Sequence, residues 1–408
     1  MPGLMDHPEF PPQPQRIRDQ RATIVGAGLG GLTAALALLR AGWRVRVYEQ
    51  AKVLGEVGAG VTLSPGALKA LARLGLGPRL LGASLPVPNV AFLNYRTGAL
   101  LAGALDQGRP VDGGLETPRH IHRADLHAIL LRAVQALDPA SVATDKRLVG
   151  VAPDDAGVDS RFADGTTDRA DILIGADGAR SVVRRQAFED RAPEFAGQVA
   201  FRCLIPFEEA APFMGTAAAA VSIGAGRIFH RYPIRGGTLV NVIGIARTER
   251  WTGESWSTPA AVFEFLQAYQ GFHDDVVGLI KRAPAEHLIK WGLFTRPPLP
   301  QWSQDRMVLL GDAAHPILPF LGLGAALAIE DAIVLVRALS KAASAKTAFE
   351  AFQAARRERV ETVRTKSIEQ GEIIQGSDPD ADAVTRSPSQ NVDLFAYDPC
   401  EAPIHVEA

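Results

Sequence analysis

The run Ala22–Leu39, ATIVGAGLGGLTAALALL, constrains this chain more than any other stretch. An apolar segment enters a turn built on Gly26, Gly28 and Gly31 and leaves as an Ala/Leu-rich helix that Gly42 can end with a left-handed cap. WRVRVYEQ then supplies a second strand, which completes a βαβ unit of about 30 residues. Gly26 permits the tight turn, Gly28 lets the backbone approach a pyrophosphate, and Gly31 lets the helix pack closely on the strand. The helix N-terminus offers free N–H groups and a partial positive charge to the phosphates. Glu49, about 20 residues further on, is placed to accept hydrogen bonds from a ribose diol. The unit predicts a dinucleotide but does not separate NAD from FAD, because both carry the same ADP half.

The rest of the chain alternates between two textures. With 408 residues and 47% hydrophobic content, it can bury the cores of two or three domains. Residues 21–85, 113–190 and 290–340 read as α/β segments of one discontinuous Rossmann-like domain. Residues 86–112 and 191–289 read as an inserted, mainly antiparallel-sheet domain, with long strands such as QVAFRCLIPF and GTLVNVIGIAR. A C-terminal helix is expected over 341–375. The Pro-rich residues 1–20 predict a disordered lead-in without the apolar core of a secretory signal, and the polar 376–408 a loosely held tail.

Charge and cysteine content exclude several function classes. A net charge of -2 gives no electrostatic footprint for nucleic acid or an anionic membrane. No apolar run approaches the roughly 18 residues that suggest a transmembrane helix. Cys203 and Cys400 lie far apart, which predicts free thiols and a cytoplasmic protein. His120 and His122 could share one strand face, but no third ligand stands at metal spacing, so no metal is expected.

Two further turns belong at the cleft. DILIGADG ends an apolar strand at Asp177-Gly178, and MVLLGDAAHP ends another at Gly311-Asp312. Ligands of open α/β sheets bind beyond the carboxyl ends of the strands, so both acids should face them. FLGLGAALAIEDA then opens a helix with Gly322 and Gly324 at its start, whose N–H groups can stabilise negative charge. This order of motifs resembles the single-component FAD-dependent aromatic hydroxylases, the monooxygenases related to salicylate, 3-hydroxybenzoate and 6-hydroxynicotinate hydroxylases. HRADLH, HRYPIRGG and KWGLFTRPPLPQW carry the likeness further, over residues 21–370.

The resemblance implies FAD, with NADH or NADPH as a transient co-substrate and O2 as oxidant. Gly26, Gly28 and Gly31 would hold the pyrophosphate, Glu49 the adenosine ribose, and Arg123 would lie along the cofactor. Asp177 belongs to a motif that serves FAD and the nicotinamide cofactor. Gly311 and Asp312 would meet the ribityl chain, and Gly322, Gly324 and Ala325 would face the flavin ring. A flavin C4a-hydroperoxide would then hydroxylate a small phenolic or hydroxypyridine-type aromatic carrying a carboxylate, in a monomer or homodimer.

On the substrate side, His230 and Tyr232 are the catalytic candidates, with a packed core pair as the equal alternative. Arg202 either anchors a substrate carboxylate or braces the two domains. Pro316 and Phe201 are expected at the substrate. Phe201 stands where 6-hydroxynicotinate hydroxylases have His, which argues against that substrate and removes an acid/base group. His315 is expected to shape its loop. Leu323 and Gly66 also depart from the pattern, because many relatives have Gln or Ser at the first position and Asn at the second. Two other classes fit the first βαβ unit. A NAD-dependent dehydrogenase leaves the Asp177 and Asp312 motifs without a role, and a flavin-binding regulator would lack turnover.

Overall fold

The computed structural model describes residues 20–55, 59–87, 90–101, 113–188, 191–215, 217–224, 226–249, 251, 257–376, 378 and 392–406. The glycine turn sits at the centre of a six-stranded sheet. In spatial order its strands are Ser303–Gln304, Met307–Leu309, Ile172–Gly175, Arg21–Val25, Arg44–Tyr48 and Val142–Ala143. All neighbours run parallel except the first pair. Both faces of the central strands are covered, which is why ILI reads as an unbroken apolar run and why buried Thr23 in TIV donates its hydroxyl to Asp168. Helix Leu29–Arg40 lies against helix Gly324–Lys341. Gly30 makes that approach possible, since a Cβ there would stand 2.8 Å from a Leu310 methyl and 3.1 Å from the Ala328 Cβ.

The inserted domain is a seven-stranded sheet. Its order is Thr258–Pro259, Ile289–Thr295, Glu194–Pro206, Leu239–Arg247, Arg227–Ile234, Ala220–Gly224 and Ala91–Asn94, antiparallel but for the last pair. Side chains alternate across it with period two. One face packs Phe201, Phe229, Val240 and Val242 against Phe265 and Tyr269 of the helical layer Val262–Ala268 and Asp274–Lys281. The opposite face presents Ala200, Ile228, Ile245 and Trp291, which cluster with Leu318 and Ile374 of the dinucleotide-binding side. The helical layer was not visible in the sequence pattern. Strand Ile289–Thr295 also extends the inserted sheet past the expected boundary at 289.

The two domains are tied by side chains. The Arg235 guanidinium donates to both Asp125 oxygens at 2.9 and 2.7 Å, and the Gly60 N–H donates to Asn241 Oδ1 at 2.7 Å. The expected C-terminal helix is Ala345–Ile374. Residues 392–406 correct the expectation of a loosely held tail. Leu394, Ala402 and Ile404 are buried, and Arg337 Nη1 donates to the carbonyls of Pro399 and Ala402 at 2.7 and 2.9 Å. The expected lead-in, up to residue 19, lies outside the described residues, as do 377 and 379–391. Among the described residues no helix is long and apolar enough to cross a membrane, and no His/Cys/Asp/Glu group is arranged for a metal.

Candidate active site

Each glycine of the first turn has a separate steric reason. Gly26 has φ +102°, and a Cβ there would meet the Ala176 carbonyl at 2.5 Å. A Cβ on Gly31 would stand 2.0 Å from the Gly26 carbonyl oxygen, whereas one on Gly28 would meet nothing within 4 Å. The turn is closed behind and open in front, where a pyrophosphate would approach. Helix Leu29–Arg40 begins there with no side-chain cap and no acid in its first turn, so its orphan N–H groups are left to a ligand. The Glu49 carboxylate, at the end of the second strand, accepts from the Ala27 and Ala51 N–H groups, each at 2.9 Å.

The third motif is held from behind. Gly311 takes φ +59°, and its N–H donates to Asp331 Oδ2 at 2.8 Å. The same oxygen is 2.7 Å from His315 Nε2, so His315 shapes the loop as expected. Asp331 Oδ1 accepts from Arg356 Nε at 2.7 Å, and Arg356 also pairs with Glu330 at 2.8 Å. Burial alone would raise the Asp331 pKa, but His315 and Arg356 outweigh it and hold the carboxyl well below the usual range. Arg184 braces the loop from the other side by donating to the Ala313 and Ala314 carbonyls.

Asp312 is thus projected from a rigid loop. It lies deep in the molecule, yet its side chain is open to the cleft. Burial raises its pKa, while His315 and Arg123 pull the other way. Arg123 opens helix Arg123–Leu137 and lies within electrostatic reach of both Asp312 and Arg202. Helix Gly324–Lys341 starts uncapped and without an acid in its first turn, beside exposed Gly322 and half-buried Gly324 and Ala325. An open turn, an outward carboxylate and two uncapped helix starts fit the diphosphate, ribityl and ring portions of FAD. The Asp177 carboxylate accepts from Ser181 Oγ, Val182 N and Val183 N and so caps helix Val182–Ala187.

The inserted sheet faces this cleft with polar atoms that make no hydrogen bond among the described residues. Arg202 lies opposite Ile243, which lies opposite His230; one step along, Leu204, Asn241 and Tyr232 form the next cross-strand row. Arg202 stacks on Trp291 at 4.9 Å, while its Nε is buried without an acceptor. His230 Nε2 and Asn241 Nδ2 are likewise buried and unpartnered. The Tyr232 ring fills the space a Cβ on Gly60 would need and lies 3.8 Å from the His120 ring and 4.7 Å from that of His230. Burial pushes the His230 pKa down to about 4, with help from Arg231. It raises that of Tyr232, against the pull of Arg202. Phe201 is a correction: it turns away from the cleft and stacks on Phe265 at 4.7 Å, so it is not at the substrate. Pro316 is half-buried in the loop after His315.

Comparison with known proteins agrees with this geometry. The FAD binding domain family matches residues 19–367. The chain is 36% identical over 364 residues to a 6-hydroxynicotinate 3-monooxygenase of Pseudomonas fluorescens, covering 88% of this chain and 93% of the relative. It is 35% identical over 353 residues to a 3-amino-4-hydroxybenzoate 2-monooxygenase of Streptomyces platensis, covering 86% and 87%. The chain belongs to the FAD-dependent aromatic hydroxylases. The fold likewise matches Klebsiella pneumoniae HpxO complexed with FAD and uric acid, with a TM-score of 0.77 and 24% identity over 93% of both chains.

The site geometry also involves residues for which the sequence predicted no role. Asn241 lies within LVNVIGIAR, and His120, expected in a surface or core role rather than on a metal, packs against Tyr232. Asp331 lies inside FLGLGAALAIEDA, and Arg184 lies shortly after DILIGADG. The purified protein is expected to be yellow and to release FAD, not FMN, on denaturation. Chromatography of the released cofactor checks this, and recovery of NAD without flavin would refute it.

Proposed function

We propose that the chain hydroxylates a small aromatic acid that also carries a ring hydroxyl, consuming NAD(P)H and O2. The observation that carries the reading is Arg202, a buried guanidinium that makes no salt bridge among the described residues and keeps one donor unpartnered at the cofactor side of the sheet. A buried charge of this kind calls for a counter-ion, and a substrate carboxylate supplies one. The relatives named above act on a hydroxybenzoate and a hydroxynicotinate, rings that pair both groups.

Bound FAD supplies the redox chemistry, passing two electrons from NAD(P)H to O2 so that one oxygen atom enters the ring and the other leaves as water. The protein residues orient the ring. Arg202 fixes its carboxylate, Trp291 and Tyr232 border it with flat apolar surface, and Asp312 and Arg123 fix the cofactor opposite. His230 stays neutral at pH 7 and can accept a hydrogen bond from the ring hydroxyl, which orients it and raises the electron density of the ring. The buried sheet face excludes water from the reacting centre. The true substrate is expected to accelerate NAD(P)H oxidation by at least about tenfold, or 1.4 kcal/mol of barrier. Labelled O2 should deliver one oxygen ortho or para to the hydroxyl. Label entering from water, or a broad panel of hydroxylated aromatic acids without effect on the rate, would reject the reading.

The buried imidazole also gives a pH signature. The unfolded chain protonates His230 near pH 6.5, whereas the native state resists until about 4. Between those values the unfolded state binds more protons, so stability falls as pH is lowered through the window. His230→Gln is expected to flatten the fall in melting temperature between pH 6.5 and 4. An unchanged profile would place His230 in a less buried setting.

A further inference from the structure

The C-terminal segment and the cofactor loop meet through one buried cluster. Tyr397 lies over two guanidinium groups, 4.9 Å from Arg356 and 4.8 Å from Arg359. Arg356 is fully buried and its Nη1 makes no hydrogen bond among the described residues, so Tyr397 is the neighbour that covers the charge on that side. From Arg356 the path is short. Its Nε donates to Asp331, and Asp331 accepts the Gly311 N–H and pairs with His315, the two ends of the loop that projects Asp312.

The same segment spans helix Pro65–Arg73. At one end the Tyr397 carbonyl lies where Gly66 has no side chain, since a Cβ there would stand 1.8 Å from that oxygen. At the other end Arg73 pairs with Glu401 at 2.7 Å. Arg337, on the helix that begins at Gly324, donates to the Pro399 and Ala402 carbonyls. The segment therefore touches three helices and the charge cluster behind the loop. Gly66, which looked like a departure from the family pattern, is the position that lets it seat.

We propose that residues 392–406 form a strap that positions the Gly311–His315 loop and so sets the affinity for FAD, with Gly66, Tyr397 and Arg356 as its positioning residues. The strap acts on the cofactor site whatever ring the enzyme hydroxylates. With the strap seated, Arg356 is fixed between Glu330 and Asp331 and the loop keeps one geometry. With it displaced, Arg356 is uncovered and can leave Asp331, and the loop loses its support from behind.

The test uses the full chain. Gly66→Asn installs the side chain that many relatives carry and makes the seat for Tyr397 too small. Tyr397→Ala leaves the seat and removes the ring over Arg356. Chymotrypsin cleavage after Phe395 or Tyr397, read by mass spectrometry, reports whether the strap is seated, and titration of apoprotein with FAD by flavin fluorescence reports the dissociation constant. Gly66→Asn is expected to speed that cleavage and to raise the dissociation constant by about tenfold or more, or 1.4 kcal/mol. Tyr397→Ala is expected to raise the constant similarly with unchanged far-UV circular dichroism. Two results would overturn the proposal: a strap released by Gly66→Asn with FAD affinity unchanged, or a strap that stays protected. If Gly66→Asn does not fold, Tyr397→Ala decides alone, and unaltered FAD affinity in that variant rejects the strap.

Discussion

Asp331→Ala is expected to lower the unfolding free energy by about 3–5 kcal/mol, the range for removing one partner of a buried ion pair. The carboxylate has three partners, the Gly311 N–H, His315 and Arg356, and none is exposed enough to be rehydrated at little cost. Its loss leaves Arg356 with Glu330 and strands a backbone N–H in the core. The pH dependence has a definite sign. A carboxyl held well below the ordinary range contributes its stabilisation fully above the unfolded pKa and loses it only as pH falls through the lower native value. The deficit of the variant should therefore be constant between pH 5 and 8. Urea unfolding of apoprotein at several pH values measures it. A deficit below about 1 kcal/mol, the scale of an exposed pair, would show that the cluster does not support the loop.

The parts of the site that were legible in the sequence are those fixed by local sterics. Gly26, Gly28 and Gly31 could be assigned separate tasks because a turn between strand and helix constrains each within a few residues, and the structure gives each that geometry. Asp312 follows a strand end, which predicts which way its loop faces. Phe201 and Arg202 were not separable on the same terms. They are neighbours on one strand, and only the register between strands decides which of them meets the cleft. The pairing of strand 194–206 with strand 239–247 turns Arg202 toward the cofactor domain and Phe201 into the helical layer. Asp331 needed a partner on the following helix, a contact across 25 residues that no local pattern encodes. The C-terminal segment was misread for another reason. Its Pro, Asp and Ser content suggests a free tail, whereas Leu394, Ala402 and Ile404 are buried, Tyr397 covers Arg356, and Arg337 binds two of its carbonyls.

Asp312→Ala is expected to weaken FAD binding by about one to two orders of magnitude while leaving the apoprotein at least as stable. The two halves of that prediction separate a ligand-binding role from a structural one. A carboxylate that accepts hydrogen bonds from a sugar-like chain contributes roughly 1.5–3 kcal/mol, which corresponds to about ten- to a hundredfold in affinity. Without ligand the same group is an expense to the fold. Burial raises its pKa, with the charge of Asp331 adding to that and His315 and Arg123 opposing it, so the fold gives the ionised carboxylate no net support. An acid with a raised native pKa subtracts stability above that pKa, and its removal relieves the cost. Asp331→Ala should show the opposite pattern, a large loss of apoprotein stability with any loss of FAD affinity following from it. Thermal unfolding of the two apoproteins, set beside their FAD titrations, distinguishes these cases. If Asp312→Ala folds and binds FAD with undiminished affinity, the outward carboxylate is not a ligand of the cofactor. FAD would then be held by the backbone N–H groups at Gly28 and Gly324 with Glu49 and Arg123, without Asp312.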